Sequence, residues 1–360
     1  MWDLKKNKSI CVYPFVCKHI ETNQEEWLCT VGQHVIKSRQ DIVDHMKQGL
    51  PISGCEVCYD LENKGIESHR VRETKKWIAK HGEPNEIDIK WLDIRNNIEC
   101  NAKCKICNSN YSTEWQKETG DYSVKSYQYN FTNEELSNCV KFIQTGGEPT
   151  LSKEFTSVLS RLSTINPDCN IVIQTNGTEL PEEWIPCLQK LTNLTVQVSI
   201  DAVGLMLTYL RYPIKHNTIL STIEKLKQYC RVELLTTAYN LNIHRLSELI
   251  DVAIDLNLLE NWTISMLNEP KHFRLESIPH DVRQFYKNNI DLCKYKINQN
   301  TKSIFKLRLM KQLDDISKLF DCEYDPNSHK LLSQILKEQD SVRTMNLADI
   351  DKFLNNWVHK

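Results

Sequence analysis

The sequence predicts an α/β protein whose centre is an open, partial (β/α)6 TIM-like barrel, flanked by a cysteine-rich N-terminal segment and a helical C-terminal extension. Three observations carry that reading. Between about residues 85 and 270, strand-like runs alternate with segments of helical periodicity, the pattern of a parallel sheet with crossover helices. Three cysteines, Cys100, Cys104 and Cys107, stand as C-x3-C-x2-C directly after the first strand-like run. Five more, Cys11, Cys17, Cys29, Cys55 and Cys58, fall within residues 1–84, a stretch with little apolar periodicity for a core of its own. The expected divisions are therefore 1–84, 85–270 and 271–360.

Six strands are expected, over Ile87–Ile94, Cys139–Gln144, Asn170–Gln174, Leu194–Ile200, Arg231–Thr237 and Trp262–Leu267. Between them, Phe155, Val158, Leu159 and Leu162, then Ile219, Ile223 and Leu226, then Leu246, Leu249, Ile250 and Ala253 recur at helical spacing. The first crossover, 95–138, holds the cysteine triplet, a helix from about Asn108 to Glu118, and a polar insert from Thr119 to Tyr129. In parallel barrels the chemistry collects at the C-terminal ends of the strands, where such loops emerge. From Lys271 onward the texture is helical, with a capping-type Asp325-Pro-Asn-Ser328 before Leu331, Leu332, Ile335 and Leu336. A final amphipathic run carries Leu347, Ile350, Phe353, Leu354 and Trp357. The tail reads mainly as packing against the barrel, with room to line a substrate entrance.

At 360 residues, 40% apolar and 26% charged, the chain has the composition of a soluble globular protein of two or three compact units. A formal charge of −2 gives no global reason to bind nucleic acid or an anionic membrane. No run approaches the roughly 18 consecutive apolar residues of a membrane span, and the start Met-Trp-Asp-Leu-Lys-Lys-Asn-Lys lacks the apolar core of a secretion signal. A cytoplasmic protein is expected. Fourteen cysteines in such a chain, several grouped as C-x-x-C or C-x3-C, then read as metal ligands rather than disulfides.

Three clustered thiolates with no near fourth partner admit two readings. A structural zinc site closes its shell with four protein ligands, so the triplet would have to borrow a distant one. An iron–sulfur cluster held at three irons instead leaves one iron open. In the N-terminal segment, Gly54-Cys55-Glu-Val-Cys58 is a tight turn opening into the helix-like Tyr59-Asp-Leu-Glu-Asn, while Cys11 and Cys29 lie on short strand-like runs. Four thiolates there suit zinc and iron–sulfur equally.

Other strand ends carry polar groups. Thr145-Gly146-Gly147-Glu148-Pro149 follows the second strand; its glycines let backbone approach a ligand, and Glu148 can accept from an ammonium group. In the fourth strand Leu194, Val196, Val198 and Ile200 alternate with Thr195, Gln197, Ser199 and Asp201, a polar face that a ligand cavity explains better than a packed interior. Thr175-Asn176-Gly177 ends the third strand, where Asn176 also suits a simple turn cap. Arg211, in Tyr209-Leu-Arg211-Tyr-Pro213, suits either a bidentate carboxylate contact or a surface salt bridge. Cys139, Cys169, Cys187, Cys230, Cys293 and Cys322 occur singly and read as unligated thiols.

Taken in order, the triplet, Gly-Gly-Glu-Pro, Thr-Asn-Gly and Ser199-Ile-Asp201 resemble the radical S-adenosylmethionine (radical SAM) enzymes over about residues 11–240. The runs Asp93-Ile-Arg-Asn-Asn-Ile-Glu-Cys100 and Cys107-Asn-Ser-Asn-Tyr are similar too; Ile106 replaces the family's usual aromatic. The resemblance implies a [4Fe–4S] cluster on Cys100, Cys104 and Cys107. It further implies S-adenosylmethionine held by Gly146, Gly147, Glu148, Asn176, Ser199, Asp201 and Arg211. A one-electron reductant such as flavodoxin or ferredoxin would drive cleavage to methionine and a 5′-deoxyadenosyl radical, which abstracts a substrate hydrogen.

The N-terminal pattern is Cys11-Val-Tyr-Pro14-Phe15, Cys29, Gly54 to Glu62, Gly65, Ser68 and Arg70. It resembles the auxiliary-cluster module of the SPASM/twitch subgroup, placed before the barrel as in phage-type members. That implies a second iron–sulfur cluster on Cys11, Cys29, Cys55 and Cys58. Relatives often carry adjacent cysteines where this chain has Cys29-Thr30, which leaves Cys17 as a competitor to Cys29. The substrate is open among peptide, nucleotide, sugar and small metabolite, with peptides frequent in that subgroup. The alternative from a different class is a non-redox, zinc-stabilised binding or scaffold protein on the same barrel.

Overall fold

The computed structural model describes residues 2–23, 26–32, 38–301 and 305–360. Its strands are β1 (Cys17–Glu21), β2 (Glu26–Trp27), β3 (Trp91–Arg95), β4 (Lys103–Cys104), β5 (Lys141–Gln144), β6 (Asn170–Thr175), β7 (Leu194–Ser199), β8 (Arg211–Tyr212), β9 (Arg231–Ala238) and β10 (Trp262–Met266). The expected barrel strands correspond to β3, β5, β6, β7, β9 and β10, and helices fall between them as the periodicity predicts. Two units divide the chain: residues 1–100, 109–174 and 181–195, and residues 101–108, 175–180 and 196–360.

In the first unit the strands run β2-β1-β3-β5-β6, parallel except for β2. The N-terminal segment thus adds a parallel strand beside β3, with His19 opposite Asp93. Pairing of β3 begins later than expected. The Asp88 and Lys90 amides donate instead to the Phe15 and Val16 carbonyls, at the end of a short helix, Tyr13–Val16, that Pro14 starts. The same helix corrects a local expectation: Cys11 precedes it in irregular chain, and Cys29 follows the two-residue β2, so neither lies on a strand.

Helix Lys153–Ile165 buries Phe155, Val158, Leu159 and Leu162 on one face of this sheet, where Phe155 meets Phe142 and Trp184. On the other face Trp91 packs on Tyr13 and Trp77, and Lys141 Nζ lies 3.4 Å from the Trp91 ring centroid. Buried charges there are paired, as their desolvation demands. His19 Nε2 is 2.9 Å from Glu21 Oε1, and its Nδ1 is 3.3 Å from Asp93 Oδ1. Burial alone would lower the imidazole's pKa; the flanking carboxylates outweigh it and hold it above the usual value.

The helix expected from Asn108 begins at Thr113, capped by Ser112. The polar insert after it lacks regular structure but grips the chain entering the triplet. Ser126 Oγ donates to Asn97 Oδ1 (2.9 Å) and accepts from the Ile98 amide (3.1 Å), while the Tyr127 amide donates to the Asn96 carbonyl (2.8 Å). A further helix, Asn133–Asn138, opens with a capping box between Thr132 and Glu135.

In the second unit the order is β7-β9-β10, with β9 and β10 parallel and the Ile200 amide bonded to the Leu235 carbonyl. Helices His216–Leu226 and Leu246–Asp255 bury the residues their periodicity marks. The tail contains helices His280–Asn300, Phe305–Leu319, Pro326–Arg343, Leu347–Ile350 and Lys352–Val358. Asp325 caps the third of these, as expected, by accepting from the Asn327 and Ser328 amides. The final amphipathic run is broken at Asp351, which caps the last helix and accepts from His244 (2.9 Å). No described helix is long and apolar enough to cross a membrane.

Helix His69–His81 carries a testable pH dependence. Arg72 lies 2.8 Å from His69 Nδ1, and a guanidinium can only donate, so Nδ1 accepts and Nε2–H donates to the Tyr13 hydroxyl at 2.6 Å. Imidazolium could not accept that bond; burial, with the Arg72 charge, lowers the His69 pKa to about 4. The unfolded chain therefore takes up a proton from about pH 6.5 downward that the folded chain refuses until about pH 4. This contribution is full above pH 6.5 and is lost as pH falls toward 4. At about 1.4 kcal/mol per pH unit, lowering the pH from 7 to 5 should cost the wild type about 2 kcal/mol that His69→Gln does not lose. Urea unfolding of both proteins at the two pH values checks this, and equal losses would refute it.

Candidate functional site

In the first unit, Cys55 stands at the start of helix Glu56–Asn63 and Cys58 lies in its first turn. Glu62, on the same helix, accepts from Ser68 Oγ (2.6 Å) and from Arg70 Nε and Nη2 (3.0 and 2.6 Å). Arg70 Nη1 also donates to the carbonyl of Ile10, the residue before Cys11, at 2.6 Å. Glu62, Ser68 and Arg70 therefore fasten the helix carrying Cys58 to the chain carrying Cys11. The Gly32 amide donates to Cys29 Sγ (3.1 Å), and a Cβ on Gly32 would stand 2.9 Å from the Gly54 carbonyl oxygen. Only glycine lets the Cys29 loop meet the Cys55 turn so closely. Gly54 itself has a φ of +87°, a conformation that glycine adopts without strain.

Electrostatics link these four thiols. Burial first, then Cys29, Cys55 and Cys58, push the Cys11 thiol well above its usual pKa. Burial pushes Cys29 up to about 11; burial with Cys29 and Cys58 pushes Cys55 up to about 12; burial raises Cys58. Without a metal all four remain protonated near neutrality, so loading any metal must release protons. Cys17 is raised by burial and Asp93, opposed by Arg39 and Lys141, with a smaller push from Cys29. Among the described residues, no set of three or more His, Cys, Asp or Glu side chains is already arranged to hold a metal ion.

The same unit contains the approach to Cys100. The Gly147 amide donates to the Asn97 carbonyl (2.7 Å). A Cβ on Gly146 would stand 2.6 Å from that carbonyl oxygen, and one on Gly147 would stand 2.2 Å from the Glu99 carbonyl oxygen. The close approach that calls for glycine is thus made by the chain entering the triplet. Gly146, at a φ of +109°, needs glycine for its backbone as well. Glu148 is buried; its Oε1 accepts from the Thr150 amide (3.2 Å) and hydroxyl (3.0 Å), capping the turn Pro149–Leu151. At Cys100, Thr113 Oγ1 accepts from the amide (3.2 Å) and donates to the carbonyl (3.1 Å).

In the second unit, β4 pairs antiparallel with β8, setting Cys104 opposite Arg211. Arg211 Nε donates to Asp201 Oδ2 (2.6 Å), and Nη1 lies 3.8 Å from Cys104 Sγ. Asp201 Oδ1 accepts from the Thr237 amide (2.9 Å), so both its carboxylate oxygens engage protein groups. Burial raises the Cys104 pKa and the Arg211 charge opposes that rise. The Cys107 amide bonds to the Cys104 carbonyl (3.0 Å), closing the turn. Asn176 Oδ1 accepts from the Thr178 amide (3.0 Å) and hydroxyl (2.7 Å), and its Nδ2 donates to Asn101 Oδ1 (2.7 Å). Asn176 is therefore both a turn cap and a tie to the triplet loop. Ser199 is buried at the end of β7. Part of the polar face of β7 is matched internally, since Gln197 donates to Glu233 on β9 (2.9 Å).

The sequence pattern includes Glu62, Ser68 and Arg70 but not what they contact, and it does not mark Gly32, because their partners are remote in sequence or ordinary in type. Within the second unit, Cys104 and Cys107 in a backbone-fixed loop, with a guanidinium beside the Cys104 sulfur, suit ligands of an iron–sulfur cluster. Gly32→Ala should displace the Gly54 backbone. In protein reconstituted without oxygen, it should lower the metal bound by the N-terminal thiols at least several-fold, and Gly147→Ala should do the same for the triplet. Counting metal per chain in backgrounds lacking the other cysteine set checks both; unchanged loading would show that these contacts do not shape the sites.

Residues 99–253 match the family described as the radical SAM superfamily. No curated protein sequence matches the chain. Among solved structures, Streptococcus suis SuiB bound to S-adenosylmethionine is similar at 12% identity and a TM-score of 0.40, over 73% of this chain and 52% of that one. SuiB bound to precursor peptide SuiA is similar at 14% identity and a TM-score of 0.44, over 68% and 60%. Native anSMEcpe with bound AdoMet and Cp18Cys peptide is similar at 20% identity and a TM-score of 0.42, over 57% and 60%. The chain thus spans only about half to three-fifths of the length of these proteins. The stretch that matches the radical SAM superfamily contains the cysteine triplet, the Gly146-Gly147-Glu148-Pro149 turn and the Cys104–Arg211–Asp201 contact.

Proposed function

We propose that the chain reductively cleaves S-adenosylmethionine and abstracts a hydrogen atom from a peptide substrate. The observation that carries the reading is the family match over residues 99–253, within which all three cluster cysteines are present. When bound, the [4Fe–4S] cluster and S-adenosylmethionine together supply the 5′-deoxyadenosyl radical.

The chain's own residues bind and orient. Cys100, Cys104 and Cys107 are the three thiolate ligands. Arg211 partners the Cys104 sulfur, and Asp201, with both oxygens engaged, holds Arg211 in place. Gly146, Gly147 and Glu148 receive the amino end of S-adenosylmethionine; Ser199 and Asn176 face its remaining polar groups. Arg211 also takes the carboxylate of S-adenosylmethionine, for which a guanidinium fork is suited.

Cys11, Cys29, Cys55 and Cys58 hold a second iron–sulfur cluster, for electron transfer or substrate anchoring. The Cys29 loop meets the Cys55 turn at the Gly32–Gly54 contact, and Arg70 ties the Cys58 helix to the chain before Cys11, which supports that grouping. Peptides are proposed as substrate because the N-terminal cysteine pattern resembles the SPASM/twitch module. A flavodoxin- or ferredoxin-like donor supplies the electron in a reducing, cytoplasmic setting.

The test compares wild type with Cys100→Ala/Cys104→Ala/Cys107→Ala, both reconstituted without oxygen. Wild type should form 5′-deoxyadenosine from S-adenosylmethionine with dithionite, and the triple variant should form none. Its residual iron and sulfide should vanish when Cys55 and Cys58 are also replaced. Cleavage by the triple variant would overturn the catalytic reading, and stoichiometric zinc without sulfide at the N-terminal thiols would make them a structural staple.

A further inference from the structure

Lys105 lies between Cys104 and Cys107, yet its side chain is only 1% exposed. Its Nζ is 3.1 Å from Asp340 Oδ1, near the end of helix Pro326–Arg343, and 4.0 Å from the Tyr209 ring centroid. A buried ammonium is tolerated only when paired. Asp340 is held in turn, because Oδ2 accepts from the Leu347 amide (3.1 Å).

Neighbouring residues are gripped from the same two stretches of chain. Arg343 Nη1 donates to the Lys103 carbonyl (3.0 Å), the Lys105 amide donates to the Leu210 carbonyl (2.8 Å), and Lys103 and Cys104 pair with Tyr212 and Arg211. Three consecutive residues of the loop are thus held by residues 210–212 and by 340–343.

We propose that Asp340 and Lys105 are positioning residues of the cluster: the pair clamps the loop to the C-terminal extension, and Asp340 cancels the charge that Lys105 would otherwise place beside the iron–sulfur site. This rests on reading Cys104 and Cys107 as cluster ligands. Iron–sulfur potentials respond to net charge and hydrogen bonding around the cluster. An uncompensated cation favours the more negative, reduced cluster and raises its potential; an uncompensated carboxylate lowers it.

The test uses the full chain, reconstituted without oxygen, as wild type, Asp340→Asn, Lys105→Met and the double variant Lys105→Met/Asp340→Leu. The midpoint potential of the triplet cluster is followed by electron paramagnetic resonance, and hydrogen exchange is measured on peptides spanning residues 101–108 of the metal-free protein. Asp340→Asn should raise the midpoint and Lys105→Met should lower it. The double variant, with unchanged net charge, should return close to wild type. Both single variants should speed exchange in the loop at least tenfold. General loosening of the fold would move both midpoints in one direction, so shifts of the same sign, or none, overturn the charge role. Unchanged exchange overturns the clamp. A wild-type protein with no triplet-dependent cluster would defeat the cluster reading and the charge role together, while loop exchange would still decide the clamp.

Discussion

Three sulfurs can serve a cluster only if the backbone that carries them is fixed by something other than the sulfurs. That constraint explains most of the unusual packing near the triplet. In the first unit the chain entering Cys100 lies so close to Gly146 and Gly147 that a Cβ at either position would collide with a carbonyl oxygen. The polar insert holds the same run through Ser126 and Tyr127. In the second unit the chain through Cys104 is a strand against Arg211 and Tyr212, and Asn101 is tied to Asn176. Backbone hydrogen bonds do much of the holding.

The N-terminal segment follows similar logic with different parts. Its thiols stand on an irregular run, a loop and a helix start, none of which is rigid by itself. Rigidity comes from the buried Glu62–Arg70 pair, whose guanidinium also reaches the Ile10 carbonyl, and from the Gly32–Gly54 contact. Burial is the main cause of the raised thiol pKa values at Cys11, Cys29, Cys55 and Cys58, with neighbouring thiols adding to it at Cys11, Cys29 and Cys55. Burying four thiols together is easy while they are protonated, and a metal must do the work of ionising them. A segment that looks core-poor in sequence is also supported by β1, which joins the sheet beside β3 and buries His19 and Glu21 with Asp93.

Polar residues at strand ends serve two purposes that sequence cannot separate. Asp201 sits where a ligand contact is expected, yet its oxygens go to Arg211 and the Thr237 amide. Glu148 caps a turn through one oxygen, and Asn176 caps another through its carbonyl. Each of these groups is held in place by its own protein partners, within its own part of the fold.

Period and spacing determined the six strands, the helices between them, the capped tail helix and the order of the motifs, because all of these are local: a face is written every second or every third to fourth residue, and a C-x3-C-x2-C loop needs no distant partner. Long-range pairing was decided only by tertiary structure. Nothing near Lys105 announces Asp340, nothing near Glu62 requires Ile10, and the late start of β3 follows from Phe15 and Val16 taking the Asp88 and Lys90 amides. The run around Cys11 alternates like a strand, but Pro14 supplies a helical φ and the chain turns. Hydrophobic pattern records which face a residue presents. It does not record which buried charge, carbonyl or glycine will meet that face, since that choice is made by the packing of elements far apart in sequence.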